Sequence, residues 1–342
     1  MILKEFIKSP NFKVGLLLLG VFIFGFTTTV VVLTLTQKPR LGSKAAAFTT
    51  AEPEPTQEPF EPVNAQGAYS AVLLGSGGAG HSGGTLTDSI IVISIDPKIK
   101  RAAFISIPRD LWVPGNYKIN ASVLNVGYEN FKGVLTGITG LTINNYVSID
   151  FSGIVKLIDS LGEIEVDIPR TFDDYFFPIK GLENELCGMS PEKVAEVHQK
   201  YSGFELEKQF TCRWEHIHFD KGKAKVSGEE ALKLARSRHG DSDFGRSARQ
   251  FAILKGIGEK IDLTNIDETY TSLSKTVRTD LGLTAAKELV KLFGNPEGYQ
   301  INQIQLTKDN VLYESKSSDG QYILVPRDGI NNFSGIKSFI AK

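Results

Sequence analysis

The chain has 342 residues, of which 41% are hydrophobic, and its formal net charge is −1. This length and apolar content suffice for one large or two ordinary folded domains, each with a buried core. The near-neutral charge argues against a general nucleic-acid partner, because phosphate backbones select proteins with a clear basic excess.

The N-terminal region contains an apolar segment long enough to cross a membrane. Val14–Thr36 carries no charged residue and is rich in Leu, Val, Phe and Ile. Because about 20 such residues span a bilayer, we expect a transmembrane signal anchor over 14–36. The alternative is a signal peptide that is cleaved near Ala45-Ala46-Ala47, although this site lies well past the apolar stretch.

The orientation of this segment is predicted from the size of what flanks it. Three basic residues precede the segment and three follow it, so the distribution of positive charge is nearly balanced. A very short tail before a large domain favours an N-terminus inside the cell. We therefore expect a cytoplasmic tail over 1–13 and a main domain held outside the cytoplasm at the cell membrane.

Residues 37–64 form a Pro-rich spacer, which is too polar to build a core, and the folded domain is expected over 65–342. Cys187 and Cys212 are the only two cysteines. An oxidising compartment would allow them to form one disulfide, which stabilises a loop of this size by about 3 kcal/mol. The alternative is two buried free thiols.

Short apolar runs predict strands, and polar N-cap residues predict the first residues of helices. Strands are expected at 71–74, 90–95, 102–107, 146–149, 300–306 and 322–325, with a hairpin turn at Asp96-Pro97-Lys98. Helices are expected at 151–161, from the capping box at Ser227 toward Arg236, from the N-cap Asp243 to about Ile261, and at 285–293. This mixture without internal repeats predicts an α/β fold with three layers, α/β/α, around a central mixed sheet.

Gly75–Gly80 matches the G-x-G-x-x-G pattern of dinucleotide-binding proteins, and Asp96 lies about 20 residues further on. That fingerprint also requires a helix that begins at the glycines. Here the sequence after the glycines predicts another strand, which argues against a dinucleotide cofactor. We expect the glycines to form a loop beside a site.

Four arginines lie between Ala235 and Gln250, together with His239, Asp241 and Asp243. Arginine presents a planar fork of donors that suits phosphate oxygens, and a cluster this dense repels itself unless anions neutralise it. The alternative is a solvated helix face with salt bridges. His239 is read as a bystander, and Asp241 is either a solvated loop acid or a partner of Arg238.

Several ordered motifs together resemble the LytR–CpsA–Psr family. They are Ile107-Pro108-Arg109-Asp110, Lys118-Ile119-Asn120-Ala121, Ala235-Arg236-Ser237-Arg238, and Asp243-Phe244-Gly245-Arg246 with Gln250. The resemblance covers roughly Tyr69 to Ile261. It implies an envelope phosphotransferase that moves a glycopolymer from a polyprenyl-pyrophosphate carrier to peptidoglycan, usually with Mg²⁺.

The resemblance also implies roles for individual residues. Pyrophosphate ligands would be Arg109, Lys118, Arg236, Arg238, Arg246 and Gln250. Asp88 would bind Mg²⁺, and Asp110 would either orient Arg109 or act as a base toward the acceptor hydroxyl. The structural alternatives are an Arg109–Asp110 ion pair, a turn capped by Asp88 and a loop pinned by Lys118. Arg236 and Arg238 converge only if their helix ends between them.

The sequence departs from the family pattern in the loop expected to bind metal. Gly77 stands where the family has a metal-binding aspartate, and Leu86 stands where it has an arginine. Val123-Leu124 also replaces the usual tyrosine after the Lys-Ile-Asn motif. These departures predict that metal binding is weaker, or that it is completed by water and substrate phosphates; the stronger version is that the chain binds the lipid without turning it over. The alternative functions are a hydrolase of the same lipid-linked pyrophosphate and a non-catalytic lipid-pyrophosphate-binding envelope or regulatory protein.

Overall fold

The structure is a computed structural model that describes residues 67–79, 83–237, 239, 243–261, 264–294 and 298–341. The predicted cytoplasmic tail, signal anchor and spacer lie outside the described residues, as does Arg238. The described part of the chain divides into two compact units. The first unit is Phe151–Ile261, and the second contains the described residues before Phe151 and after Ile261. The bounds of the predicted 65–342 domain stay a prediction.

The described residues form strands in both units. They are β1 (Tyr69–Ser76), β2 (Thr87–Asp96), β3 (Arg101–Ile107), β4 (Trp112–Val113), β5 (Tyr117–Lys118), β6 (Asn145–Asp150), β7 (Ile164–Ile168), β8 (Phe172–Pro178), β9 (Trp214–Phe219), β10 (Gly222–Val226), β11 (Arg278–Thr279), β12 (Gln300–Gln305), β13 (Leu312–Lys316) and β14 (Tyr322–Pro326).

The helices of the described residues are numbered in the same way. They are α1 (Ser122–Thr139), α2 (Phe151–Ser160), α3 (Pro191–Lys200), α4 (Gly203–Glu207), α5 (Gly228–Arg236), α6 (Asp243–Lys260), α7 (Ile266–Leu273), α8 (Leu283–Phe293) and α9 (Ser334–Ile340). Short 3-10 turns cover Ile119–Ala121 and Thr211–Arg213. Helix α6 begins at Asp243 itself, one residue earlier than predicted.

The second unit contains a mixed sheet in the strand order β11-β6-β1-β2-β3-β12. Strands β1, β2 and β3 pair antiparallel, whereas β6 and β12 lie parallel to β1 and β3. The predicted hairpin between β2 and β3 is present. Strands with apolar residues on both faces, such as Ile90–Ile95, belong in the middle of a covered sheet. The prediction of an α/β fold with a central mixed sheet is confirmed.

Helix α1 covers part of this sheet with one apolar face. Phe131, Leu135 and Ile138 are fully buried and follow one another at helical spacing, so they form a continuous stripe toward the core. The helix is kinked at Gly127, where φ is 76° and ψ is 167°. Only glycine adopts such angles at little cost, and the kink separates the first turns of α1 from the packed ones.

The edge of this sheet is held by one carboxylate. Asp280 follows β11 and accepts hydrogen bonds from the Tyr146 peptide N at 2.8 Å and the Asn145 amide at 3.1 Å. The Lys132 ammonium on α1 lies 2.5 Å from its second oxygen. A charged acceptor of three hydrogen bonds strengthens each of them, so Asp280 ties α1 and β11 to β6.

The first unit packs three helices against short strand pairs. Helices α2, α5 and α6 contact one another or β7, and the pairs are β7–β10 and β8–β9. Helix α5 begins with the predicted capping box, in which Ser227 Oγ accepts from Glu230 N and the Glu230 carboxylate accepts from Ser227 N. Gly228 lies so close to α2 that a Cβ atom there would come within 2.4 Å of the Val155 carbonyl oxygen.

We expect Gly228→Ala to reduce the free energy of unfolding by about 1–3 kcal/mol, because the added methyl group overpacks a contact with backbone. Gly282→Ala is the matched control, since no atom lies within 4 Å of its Cβ position and its φ is −82°. Urea unfolding followed by far-ultraviolet circular dichroism measures both. Equal stability of the two variants would contradict the close α2–α5 packing.

Candidate functional site

The glycine segment lies at the end of β1 and turns the chain toward β2. Gly78 has a φ of 76°, and its peptide N donates to the Gly84 carbonyl at 2.8 Å. From Gly83 the described chain makes a turn and then enters β2 at Thr87. The segment therefore opens onto a strand, as predicted, which is the wrong context for dinucleotide binding.

A second carboxylate, Asp150, lies beside this turn. Asp150 ends β6 and is in register with Ser76 at the end of β1. A Cβ atom at Gly78 would come within 2.8 Å of Asp150 Oδ2, so both the positive φ and this close approach require glycine at Gly78. The sequence alone assigned no chemistry to Asp150, because the register of β1 and β6 brings it to the glycines.

Four predicted site residues of the second unit form a row of alternating charge. Arg109 Nη1 lies 2.5 Å from Asp88 Oδ1, and Arg109 Nε lies 3.7 Å from Asp110 Oδ2. The Lys118 ammonium donates to Asp110 Oδ1 at 2.8 Å. The side chains of this row are between about one fifth and two fifths exposed, so they are open to solvent at one edge. We call it the charge row.

The charge row bears on the two roles predicted for Asp110, namely orienting Arg109 or acting as a base. Each oxygen of Asp110 faces a cation, Arg109 on one side and Lys118 on the other. Both carboxylate oxygens of Asp110 therefore already have a cationic partner. This geometry favours Asp110 as the group that orients Arg109 and Lys118 over Asp110 as the base.

Backbone contacts fix the loop that carries Lys118. Ile119 N donates to the Leu111 carbonyl at 2.7 Å, and Asn120 N donates to the Arg109 carbonyl at 3.3 Å. From β2, the Thr87 hydroxyl donates to the Asn120 carbonyl at 3.0 Å in a buried contact. The Lys-Ile-Asn motif is therefore tied to β2 and to the Pro-Arg-Asp segment, which brings the motifs predicted from this part of the chain together.

In the first unit, helix α5 ends at Arg236, between Arg236 and the position of Arg238. Ser237 has extended angles, with φ −51° and ψ 130°. The Arg236 guanidinium carbon lies 4.4 Å from the Phe151 ring centre and 5.3 Å from that of Phe177. Contacts with two aromatic rings hold the guanidinium by cation–π attraction.

Arg249 is an important residue that the sequence analysis did not single out. Its side chain is 1% exposed, its Nε donates to the Leu234 carbonyl at 2.9 Å, and its Nη2 donates to the Ser237 carbonyl at 2.8 Å. The last carbonyls of a helix have no partner within the helix. Arg249 on α6 supplies donors at the end of α5. Arg249 belongs to the arginine cluster of the sequence. Only the packing of α5 on α6 shows that its role differs from that of the other arginines.

Two further contacts hold the same helix end. Gln250 Nε2 donates to the Ala235 carbonyl at 3.3 Å. The buried Asp174 of β8 accepts from the Ser237 hydroxyl at 2.8 Å and from His239 N at 3.2 Å. Gln250 thus has a partner within the protein, and its assignment as a pyrophosphate ligand stays a prediction. His239 takes part in this packing through its peptide N.

Arg246 lies on α6 one turn before Gln250 and is partly exposed, which agrees with their predicted placement on one helix. Asp243 begins the same helix. The residues that connect α5 to α6 other than Ser237 and His239 lie outside the described residues. They include Asp241, so its assignment is open.

Cys187 and Cys212 are joined by a disulfide, with 5.4 Å between their Cα atoms. The bond closes a segment that contains α3 and α4. Arg213, next to Cys212, donates from Nε to the Glu185 carbonyl at 2.8 Å. The ends of the segment are therefore joined by a covalent bond and a hydrogen bond.

The donors for a metal ion are few. The described residues contain no group of three or more His, Cys, Asp or Glu side chains that could hold a metal ion. Asp88 keeps one carboxylate oxygen beyond the one near Arg109. A single carboxylate fits Mg²⁺ when water and substrate phosphates supply the other ligands, a common arrangement for this ion.

The second unit is a mixed α/β fold with cationic side chains at a strand end, and the first unit has a cationic side chain at a helix end. The model of the LytR_cpsA_psr family matches residues 35–334, which is most of the sequence. The chain belongs to this family.

Two bacterial relatives illustrate the similarity. The chain is 28% identical over 234 residues to polyisoprenyl-teichoic acid–peptidoglycan teichoic acid transferase TagV of Bacillus subtilis, covering 65% of this chain and 51% of that protein. It is 26% identical over 271 residues to the TagU transferase of Enterococcus faecalis, covering 74% and 76%. The match therefore spans about half the length of TagV.

Solved structures share the fold. The crystal structure of B. subtilis TagV has a TM-score of 0.57 at 24% identity, covering 82% of this chain and 97% of that one. The structure of TagT bound to LI-WTA has a TM-score of 0.53 at 20% identity, covering 83% and 92%. In the part of this chain that the structure describes, which excludes 14–36, no helix is long and apolar enough to cross a membrane.

We expect Arg249→Met to reduce the free energy of unfolding by about 2–4 kcal/mol. The substitution keeps apolar bulk but leaves the Leu234 and Ser237 carbonyls without their charged donor. Arg101→Met, at an exposed strand start, is the control and is expected to change stability by less than about 0.5 kcal/mol. Thermal and urea unfolding measure both. A neutral effect of Arg249→Met would show that the end of α5 does not depend on this guanidinium.

Proposed function

We propose that this protein is a membrane-anchored phosphotransferase that moves a glycopolymer from a polyprenyl-pyrophosphate carrier to peptidoglycan. Membership of the LytR_cpsA_psr family and the names of the relatives support the class of reaction. The observation that supports roles for individual residues is the charge row. There, carboxylates hold Arg109 and Lys118 in positions that are partly exposed to solvent.

The proposed reaction is a displacement at phosphorus. The acceptor hydroxyl oxygen forms a bond to the phosphorus that carries the glycopolymer, and the bond from that phosphorus to the bridging oxygen breaks. The products are a phosphodiester on the acceptor and polyprenyl monophosphate, and the hydroxyl proton is released. Because negative charge gathers on the bridging oxygen, fixed cations lower the barrier more than a base does.

Proposed phosphate ligands are present in both units. In the charge row these are Arg109 and Lys118, and in the first unit they are Arg236, Arg238, Arg246 and Gln250. Arg236 is the best supported of the second set, because two aromatic rings fix its guanidinium plane. Asp110 is proposed to position Arg109 and Lys118.

Asp88 is the proposed Mg²⁺ ligand, with the remaining ligands from water and substrate phosphates. The ion would neutralise phosphate charge when bound. Asp88 also faces Arg109, so the same carboxylate is proposed to position a phosphate ligand.

The membrane anchor, the location of the domain and the order of its layers are also proposed. Residues 14–36 are proposed to anchor the chain in the cell membrane with the N-terminus inside, and the domain is proposed to lie outside the cytoplasm. The order of layers is proposed as α/β/α around the mixed sheet. The long uncharged run of Val14–Thr36 supports the anchor.

A non-catalytic binder of the same lipid is the second candidate. Gly77 and Leu86 replace an aspartate and an arginine of the loop that the family uses to bind metal. In addition, Arg109 already forms an ion pair with Asp88. A protein with this loop still presents the cations that bind a pyrophosphate. Binding without turnover is therefore the function that remains if Mg²⁺ is not held.

The purified full-length chain in detergent, incubated with a polyprenyl-pyrophosphate oligosaccharide and Mg²⁺, tests the proposal. We expect loss of the donor and release of polyprenyl monophosphate that depend on added peptidoglycan. Arg109→Ala and Arg236→Ala are each expected to lower the rate about 10²–10³-fold, because each removes a donor to transition-state charge. Thin-layer chromatography of the labelled lipid measures the products.

Arg101→Ala is the control for a lost surface charge and is expected to keep the full rate. Loss of the donor without an acceptor would assign a hydrolase instead. Tight lipid binding with no product under either condition would assign the non-catalytic binder.

The metal loop makes a separate prediction about Mg²⁺. We expect wild-type protein without substrate to bind Mg²⁺ weakly and Gly77→Asp to bind it at least about tenfold more tightly, because a second carboxylate joins Asp88. Gly77→Asn is the matched control of equal size without charge. Isothermal titration calorimetry measures the affinity, and equal binding by all three proteins would exclude Asp88 as a ligand.

A further inference from the structure

Two aromatic rings of the first unit are each stacked on an imidazole. Tyr175 stacks on His216 with 4.0 Å between ring centres and a 3° angle between planes. Phe204 stacks on His239 at 4.1 Å and 2°. We call these four residues the aromatic face. They come from β8, β9, α4 and the segment after α5, so only the fold assembles them.

The alternation of β8 turns Tyr175 outward. Tyr175 is 61% exposed, whereas its neighbour Asp174 is buried against Ser237 and His239. The register of β8 with β9 shifts between Asp174 and Phe177, which is a bulge. Bulges are common beside functional sites.

Charged hydrogen bonds hold the Tyr175 stack in place. Asp173 Oδ1 lies 2.8 Å from His216 Nε2 and 2.9 Å from His218 Nδ1. Hydrogen bonds with His218 and His216 lower the pKa of Asp173, and the same contact raises the pKa of His218. The carboxylate therefore stays ionised and anchors His216, which supports the Tyr175 ring from below.

The Phe204 stack is supported from its edges. Phe176 and Trp214 approach the Phe204 ring at 5.4 Å and 6.1 Å in edge-on geometry. Helix α4 lies within the segment closed by the disulfide. Ordering of the rings before binding reduces the entropy that a ligand loses on contact with them.

Rigid exposed rings beside carboxylates and imidazoles match the chemistry of a sugar. A pyranose ring presents an apolar face of C–H groups and an edge of hydroxyls. Aromatic faces bury the first, and groups such as Asp173 and His218 accept or donate hydrogen bonds to the second. We propose that the aromatic face binds the sugar rings of a peptidoglycan glycan strand, which rests on the proposed function and names the surface for its acceptor.

The direction of Tyr175 favours the acceptor polymer over the donor. Asp174 contacts Ser237 and Phe177 contacts Arg236, at the end of α5 where phosphate is proposed to bind. Tyr175 alternates with Asp174 on β8 and so lies on the other face of the strand. The donor is proposed to bind there by its phosphates, whereas a glycan strand is long and lies along a surface. An exposed face suits the strand.

Cosedimentation of the full-length chain, in detergent, with purified peptidoglycan sacculi tests this proposal. Tyr175→Ala and Phe204→Ala are each expected to weaken binding about three- to tenfold, since each removes one aromatic contact. Tyr175→Phe keeps the ring and is expected to bind as the wild type does. Tyr313→Ala removes a comparably exposed aromatic ring from the other unit and is the matched control.

Unchanged binding of Tyr175→Ala would overturn the proposal, and because Tyr175 is largely exposed this variant is expected to fold. A second readout, binding of the polyprenyl-pyrophosphate oligosaccharide without acceptor, is expected to be unaltered in both variants. Loss of donor binding instead of sacculus binding would also overturn it. If sacculus binding falls in these variants while wild-type protein transfers nothing, the aromatic face stands and the transferase proposal fails.

Discussion

The buried guanidinium of Arg249 is the constraint on which the arginine-rich region depends. A helix end leaves carbonyls without partners, and burying them without donors costs free energy. Arg249 and Gln250 reach from α6 to the carbonyls of Leu234, Ser237 and Ala235. A positive charge at a helix C-terminus is also favoured by the helix dipole. The end of α5, and with it Arg236, is therefore fixed by side chains from α6.

In the second unit, the charge row balances cations with carboxylates. Neighbouring cations repel one another, and Asp88 and Asp110 neutralise Arg109 and Lys118, the cations proposed to bind phosphate. The ion pair with Arg109 uses Asp88, the same carboxylate that is proposed to bind Mg²⁺. A phosphate that arrives at Arg109 competes with Asp88, which would free that carboxylate when the substrate is present.

The strands of the central sheet other than β11 could be predicted from the sequence, as could β14, α2, α5, α6 and α8, because their signals are local. The apolar runs of β1 to β3, the turn at Asp96 and the capping box at Ser227 each specify their own geometry within a few residues. The motif residues of the charge row were also identified beforehand. Helices α1, α3, α4, α7 and α9 were not predicted, and neither were the remaining strands; α1 contains a kink at Gly127.

The sequence by itself determined which residue types are available: cations and carboxylates in ordered motifs, a metal loop short of one acid at Gly77, and two cysteines. Only the tertiary structure decided their roles. Arg249 became a buried clamp and His239 a stacked ring, while Asp150 came to lie beside Gly78. The physical reason is that these roles depend on contacts between elements far apart in the chain, which strand register and helix packing create and local patterns do not encode.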